Sequence, residues 1–528
     1  MLISSCGDGS SSTNSTDSIY TMNYKGLTFY TKDMPMKSYK LPSLSNNNFN
    51  ALSDSEQLLV ADKLLSTLFF SYPLSELKEK ISSGKFMSDV ADGLSKTTND
   101  ISALESHITD ESIFERRDNH KEVTDILARF YSAQDLDKYF FENWIAYILT
   151  QTIMFSPAYE LDSSHIPNIE RVYNRIVTLL DDEANMRFIT YTHMQSEDNW
   201  RRFRSPEDNG REMLEIYTYN SRDEDIPIAA TALQNWKLNR DNDTLVIGLN
   251  ENTEPLKLFG TTIYNGEDFY RELVKSSAFA YGVTKRLVEF FFTDYTKNEQ
   301  DSITKKIVSS HPETWQDILK QIVFSKEYLL NASRAKSAEE AFFSLSRKMD
   351  LKIRNNSIYY LKSEIENMNQ ASMKYKLGKL TRVPLDTLSF ATYSRYFRED
   401  ILLRMSNPDA IDDYTSWSRQ GWSEDFISFD NYENGEGTPI EELHAFINYI
   451  FEATIAREVS TEELAMFDSL MFEDDGGQNE IANRFDILND ELDNKGKRRG
   501  DGYKQYVAMS VLDYISRLED VYAFKRVN

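Results

Sequence analysis

Apolar residues recur at helical spacing along most of this chain, and the pattern predicts one helix after another. Ser53 and Glu56 have capping-box spacing ahead of Leu58, Leu59, Ala61, Leu64, Leu65, Leu68 and Phe69, an apolar stripe with a defined start. A weaker helical region covers residues 75–96, and one or two long helices lie within 110–156. The stretch DKYFFENWIAYILTQTIMF is apolar almost all round, as expected of a helix at the centre of a bundle. Pro167 opens another helix, with Ile169, Val172, Ile176, Leu179 and Leu180 on one stripe. The helical period resumes over 267–293, 299–309, 312–330, 337–350 and 357–375, and again over 439–457, 460–472 and 502–520. It breaks at DTLVIGL and KLFGTTI, the clearest strand candidates. TMNYKGLTFYTKD, near the N-terminus, reads as a short strand or a tail along the body. The expected fold is therefore all-α, a multi-helix array with a small β-hairpin element near residues 243–264.

The densest polar pattern sits between Ser205 and Trp236. Ser205 can cap a helix whose first position is Pro206. Asp208, Arg211, Glu212 and Glu215 then recur at i, i+3, i+4 and i+7, so they share one face. Met213, Leu214, Ile216 and Tyr217 cover much of the rest. Partly buried, three carboxylates around one guanidinium make a site; exposed, they make a solvated surface. A second helix is expected from about Glu224 onward, because Pro227 fits only a first turn.

Length and charge narrow the picture. At 528 residues the chain exceeds one ordinary core. The pattern divides it into a tail and tether at 1–50, a main helical domain at 51–400, an acidic aromatic loop at 401–438, and a C-terminal helical segment at 439–528 packing on the main domain. Only 19 glycines and 12 prolines agree with helices rather than a turn-rich β architecture. A net charge of −26 repels phosphate backbones and argues against nucleic acid as a partner. The single cysteine is Cys6. Ile3, Ser4 and Ser5 before it fit the bacterial lipobox, and GDGSSSTNSTDS after it reads as a polar, flexible tether. Only five residues precede Cys6, so the start is expected to lie within a longer export signal. The competing reading is a chance cysteine in a disordered N-terminus.

The block from Ser205 to Trp236 resembles the bacterial family catalogued as domain of unknown function 1800. That family carries N-E-N-x-A-R-E-L-x-E-L-F-T-L-G, then Y-T-E-x-D-V, then A-R-A-L-T-G-W. Glu207, Arg211, Glu212, Glu215, Thr218, Asp225, Ala230, Ala232, Leu233 and Trp236 stand at matching positions, with Asp208 in place of the second asparagine. Downstream, KRLVEFF with Lys285 and Arg286 resembles R-K-L-x-x-F-F, FSKEY around Ser325 and Glu327 resembles S-P-E-F, and AKSAEEAFFSLSR with Lys336, Ser337 and Glu340 resembles V-K-S-P-x-E. The family's F-W-H-N-H-F is here FFENWI, with Glu142 and Trp144 at the histidine positions and Asn143 retained. Its H-D-x-G-x-K is here ENTEPLKLFG, with Glu251 and Asn252 and with Lys257 displaced by one. The resemblance implies an exported, mostly helical protein and lends no reaction. Imidazole chemistry does not survive these changes; a site of carboxylates and an arginine does.

Other chemistry is sparse. None of the six histidines is paired at i+3 or i+4, and HExxH, GxSxG, GxGxxG, P-loop and CxxCH patterns are all missing, so no cofactor is expected. Asp208, Glu212, Glu215 and Asp225 could hold calcium or magnesium through oxygens. Glu212 and Glu215, one turn apart, could serve as paired carboxylates, with Arg211 to clamp an anionic group and Asp225 in support. Asp208, Asn209, Trp236, Trp417 and Trp422 are candidate binding residues, the last two in the acidic loop. The leading expectation is an exported, lipid-anchored protein of the bacterial periplasm or cell surface with a binding or assembly role. Its partner would be a carbohydrate or an envelope protein, and its contact with the membrane would run through the lipid anchor. The alternative is a carboxylate-dependent hydrolase or lyase acting on an anionic or carbohydrate polymer.

Overall fold

Side-chain caps open most of the helices. The computed structural model describes residues 20–24, 27–31, 39–97, 118–133, 135–154, 169–203, 205–220, 222–239, 241–242, 244–349, 387–398, 439–472 and 501–527, with Ile365, Gln370, Ser372 and Phe426 as single positions. The first helices are α1 (Asn46–Phe49), α2 (Asp54–Thr67), α3 (Leu74–Ser82), α4 (Phe86–Gly93), α5 (Asp118–Ser132) and α6 (Lys138–Thr152). Then come α7 (Ile169–Asp181), α8 (Met186–Met194), α9 (Glu197–Arg202), α10 (Pro206–Thr218) and α11 (Ile226–Ala232). They are followed by α12 (Gly266–Lys275), α13 (Ser277–Phe291), α14 (Lys297–Val308), α15 (Trp315–Val323), α16 (Ala338–Lys348) and α17 (Thr387–Tyr396). The chain closes with α18 (Pro439–Ile455), α19 (Thr461–Phe472) and α20 (Asp501–Ile515). Ser53 with Glu56, and Ser337 with Glu340, form full capping boxes at α2 and α16, each satisfying backbone donors that the first turn leaves free.

The periodic run over 267–293 folds as two helices. Ser276 takes an extended conformation (φ −64°, ψ 151°) and its side chain accepts the Phe279 N–H, so α13 starts afresh there.

The β element is richer than one hairpin. The strands are β1 (Tyr20–Tyr24), β2 (Leu27–Thr31), β3 (Trp236–Asn239), β4 (Thr244–Ile247), β5 (Leu256–Leu258), β6 (Thr261–Ile263), β7 (Arg334–Ala335) and β8 (Ala523–Phe524), paired two by two and antiparallel. DTLVIGL and KLFGTTI do not pair with each other. The first folds back on Trp236–Asn239, with Trp236 opposite Ile247. The second is itself a hairpin, with Leu256 opposite Ile263. Its turn places Phe259 (φ 49°) and Gly260 (φ 81°) in succession at positive φ, the geometry that matches the twist of a two-residue hairpin.

One hydrophobic cluster runs through the described residues from Leu41 to Tyr522. The C-terminal helices contribute Phe446, Ile450, Val511 and Leu512 to it, so they pack on the main body. Helix α6 is buried from Phe140 through Thr152, as its all-round apolar sequence requires. Among the described residues, no helix is long and apolar enough to cross a membrane.

Candidate functional site

Helix α10 begins as its sequence indicates. The Ser205 hydroxyl accepts the Asp208 N–H at 3.1 Å, and Pro206 stands in the first turn. The polar stripe runs on from there, graded in exposure. Arg211 Nη2 lies 2.6 Å from Asp208 Oδ1, with the two side chains 47% and 38% exposed. A pair so wet contributes less than about 1 kcal/mol. Arg211 Nε also stands 3.6 Å from Glu212 Oε1, where the Glu212 side chain is only 13% exposed. Glu212 Oε2 is buried with no hydrogen-bond partner. Burial, and next the neighbouring charge of Glu215, raise the Glu212 pKa against the pull of Arg211. Glu215 is partly buried.

The other expected residues have structural partners. Asn209 is buried, and its Oδ1 accepts the Tyr270 hydroxyl at 2.7 Å. Asp225 lies on the 3-10 turn Asp223–Asp225 and pairs with Arg222; the charges acting most on Glu212 are Glu215, Arg211, Asp208 and Arg202. Trp236 begins β3, stacks on Trp200 at 5.9 Å, and meets Tyr270 edge-on at 5.5 Å. Cys6, Trp417 and Trp422 lie outside the described residues.

Helix α13 holds the C-terminal end of α10 in place. From it, Arg286 donates through Nε to Ile216 O (2.6 Å) and through Nη2 to Glu215 O (2.9 Å), satisfying carbonyls that the helix end leaves free. Lys285, buried beside it, pairs with Asp301 at 2.8 Å. The Lys285-Arg286 pair is thus a C-terminal clamp on the stripe helix. Beyond α11 the two hairpins are stapled by asparagines. Asn235 Nδ2 donates to Gly248 O (2.9 Å), and Asn252 Nδ2 to Glu254 O (2.7 Å) and Tyr264 O (2.8 Å). Asn252, at one of the positions where the resembling family has its second polar ligand candidate, is a loop staple here. On these hairpins Val246, Ile247, Leu249 and Tyr264 stand exposed.

FFENWI also carries structural roles. Asn143 Oδ1 accepts the Tyr173 hydroxyl at 2.8 Å, and Trp144 Nε1 donates to Thr67 O at 2.9 Å. Glu142 differs: its side chain is 2% exposed and lies 3.2 Å from Lys138 Nζ. Burial pushes its pKa up from 4.5 to about 7 in spite of Lys138. The native state therefore binds more protons than the unfolded chain between those values, and stability contributed by protonated Glu142 is lost as pH rises through about 7. Glu142→Gln is expected to flatten this dependence and to raise stability at pH 8 by about 1–3 kcal/mol. Urea midpoints at pH 5 and pH 8 measure it; an unchanged difference between them would refute the assignment.

The largest polar assembly was not visible in the sequence. Lys348 Nζ meets Asp62 Oδ1 at 2.5 Å, with both side chains 4% exposed. Arg334 grips Glu340 through both terminal nitrogens and donates to the Tyr328 hydroxyl at 2.9 Å; that hydroxyl also bonds Thr67 Oγ1 at 2.7 Å. Tyr147 donates to Glu339. Burial alone would raise the Asp62 carboxyl, but Lys348 and Lys336 outweigh it and hold it low. Burial pushes Lys63 down to about 7 and Lys336 to about 8, with Arg334 adding to the first effect. Lys63 Nζ donates to Ala332 O at 2.6 Å. Only the Ser337–Glu340 cap had a sequence signal; the rest joins residues far apart in the chain.

No protein-family model matches the chain, and no curated protein or solved structure matches it either. The chemistry available is thus read from the residues. Among the described residues, no three His, Cys, Asp or Glu side chains stand together as metal ligands, and the stripe carboxylates form no such group. What the stripe offers is a half-buried acid, Glu212, with a second carboxylate one turn on and a guanidinium alongside. Around it, Asn209, Asp225 and Trp236 hold the stripe helix and the hairpins together.

Proposed function

We propose that this is an exported, lipid-anchored bacterial envelope protein with a binding or assembly role, a divergent relative of the domain of unknown function 1800 family. The observation that carries the binding role is the apolar tip on the hairpins next to the stripe. Leu249 is fully exposed there, with Val246, Ile247 and Tyr264 exposed around it. Aliphatic groups offer sugar hydroxyls nothing to bond, so this surface suits an apolar partner at the envelope. The stripe acts as an ion-pair hub that seats the hairpins. The lipobox around Cys6 supports the anchor. Expression of the full-length gene with labelled palmitate should give a label on the wild-type protein that disappears in Cys6→Ser; no label on the wild type would discard the anchor.

One observation favours a second reading, a carboxylate-dependent hydrolase or lyase acting on an anionic or carbohydrate polymer. Glu212 carries a raised pKa and an unpartnered buried oxygen beside Glu215, as a general acid requires. Incubation with purified peptidoglycan separates the two. Release of reducing ends by the wild type, lost in Glu212→Gln, establishes the enzyme; no release from either leaves the binding role standing.

A further inference from the structure

Seven large hydrophobic residues are exposed among the described residues, and four of them, Val246, Ile247, Leu249 and Tyr264, fall on one pair of hairpins. Such clustering on a chain of net charge −26 is not scattered surface. Its shape is informative. Val246 and Ile247 are neighbours on β4, so their side chains leave opposite faces of the strand, and both are in solvent. The strand therefore protrudes rather than lining a groove. Lys237 stands opposite Val246, and Asn252 ties the loop bearing Leu249 to Tyr264.

We propose that this tip is a membrane-contact element that dips Val246, Ile247 and Leu249 into the interfacial zone of a lipid bilayer. A protruding apolar ridge inserts among acyl chains, whereas a protein docking site of this size is more often a recessed or flat surface. Placement in the fold points to the same occupant. Strand β2 packs against α12, the helix that starts directly after β6. The chain thus enters the fold beside the hairpins. Cys6 precedes β1 by fourteen residues, and a Gly/Ser-rich stretch of that length has a root-mean-square span of about 20 Å. An anchor at Cys6 would hold the tip against the leaflet it is inserted in. That last step rests on the anchor proposed above; the protruding tip does not.

Charge sets the kind of bilayer. Lys237 and Lys257 are outnumbered on this element by Asp241, Asp243, Glu251 and Glu254, so the tip has no cationic excess. Contact is by apolar insertion, needs no anionic lipid, and is insensitive to salt.

Because Cys6 is the only cysteine, a full-length chain carrying Cys6→Ser and Leu249→Cys takes an environment-sensitive fluorophore at one place. Phosphatidylcholine vesicles should blue-shift its emission and raise its intensity at least about twofold, unchanged by 0.5 M salt; the same label in Ser309→Cys, an exposed control, should not respond. Adding Val246→Asp and Ile247→Asp should raise the lipid concentration at half response about tenfold or more, with the fold checked by thermal melting. No response at position 249 at millimolar lipid overturns the proposal. So does a response without lipid that grows with protein concentration, since that marks a second copy on the β4 edge. A missing palmitate label leaves this measurement intact, so the two readings fail separately.

Discussion

Arg334→Met is expected to cost about 3–5 kcal/mol of folding stability, the largest loss from a single buried side chain in this protein. Arg334 and Glu340 are 4% and 1% exposed. Methionine fills similar space but leaves the Glu340 carboxylate in the core facing no cation. The Tyr328 hydroxyl loses a donor as well, and the ring of Phe524 loses the guanidinium 4.9 Å from its centre. Because Phe524 lies on β8 and Arg334 on β7, the closing strand of the chain loosens with it. Most of the cost is an uncompensated charge rather than a forfeited attraction, so removing both charges tests the account. Arg334→Met with Glu340→Gln should recover more than half of the loss, since the glutamine retains an acceptor for the Ser337 N–H that Glu340 Oε2 takes at 2.7 Å. Urea unfolding of the two variants decides it. A single-variant loss below about 1 kcal/mol, or a double variant no better than the single, sinks this reading of the core.

How much of this was legible in the chain depends on how local each signal is. The helices were, because an apolar period and a Ser-x-x-Glu cap act within a few residues; Ser53–Glu56 and Ser337–Glu340 both form as their spacing indicates. The break at Ser276 was not, because α12 and α13 continue one period and only the bend of a serine cap separates them. Strands at DTLVIGL and KLFGTTI were legible as a broken period, but not their partners, since pairing depends on which turn closes first. The stripe on α10 was legible as a face. Its gradient from exposed Arg211 to buried Glu212 was not, because α9 and its Arg202 set it from outside the helix. Asp62 and Lys63 look like ordinary surface charges on α2, and nothing nearby announces that Lys348 from α16 will bury them. The same limit hid the tip: VIGL reads as a strand destined for the core, and only the tertiary arrangement leaves it in solvent.

Gly282→Val is expected to destabilise by about 3 kcal/mol or more, although glycine in a helix interior is ordinarily a liability of about 1 kcal/mol. The reason is where α13 crosses α10. A Cβ at position 282 would stand 2.4 Å from Tyr217 O and 2.6 Å from Thr218 C, and both are backbone atoms that cannot swing aside. The helices must part by roughly an ångström to reach ordinary contact. Parting them strains the Arg286 clamp, one turn further along α13, whose bonds to Ile216 O and Glu215 O are 2.6 and 2.9 Å long. The end of the stripe helix then loses its cap and its close packing together, which is why the loss should exceed that of a simple overpacked core. Gly248→Ala is the comparison, because the nearest atom to a Cβ there, Asn235 O, is 3.5 Å away; it should cost less than about 1 kcal/mol. If thermal unfolding finds the two variants alike, the close crossing of α10 and α13 is not what holds the stripe in place, and the clamp at Arg286 must stand without it.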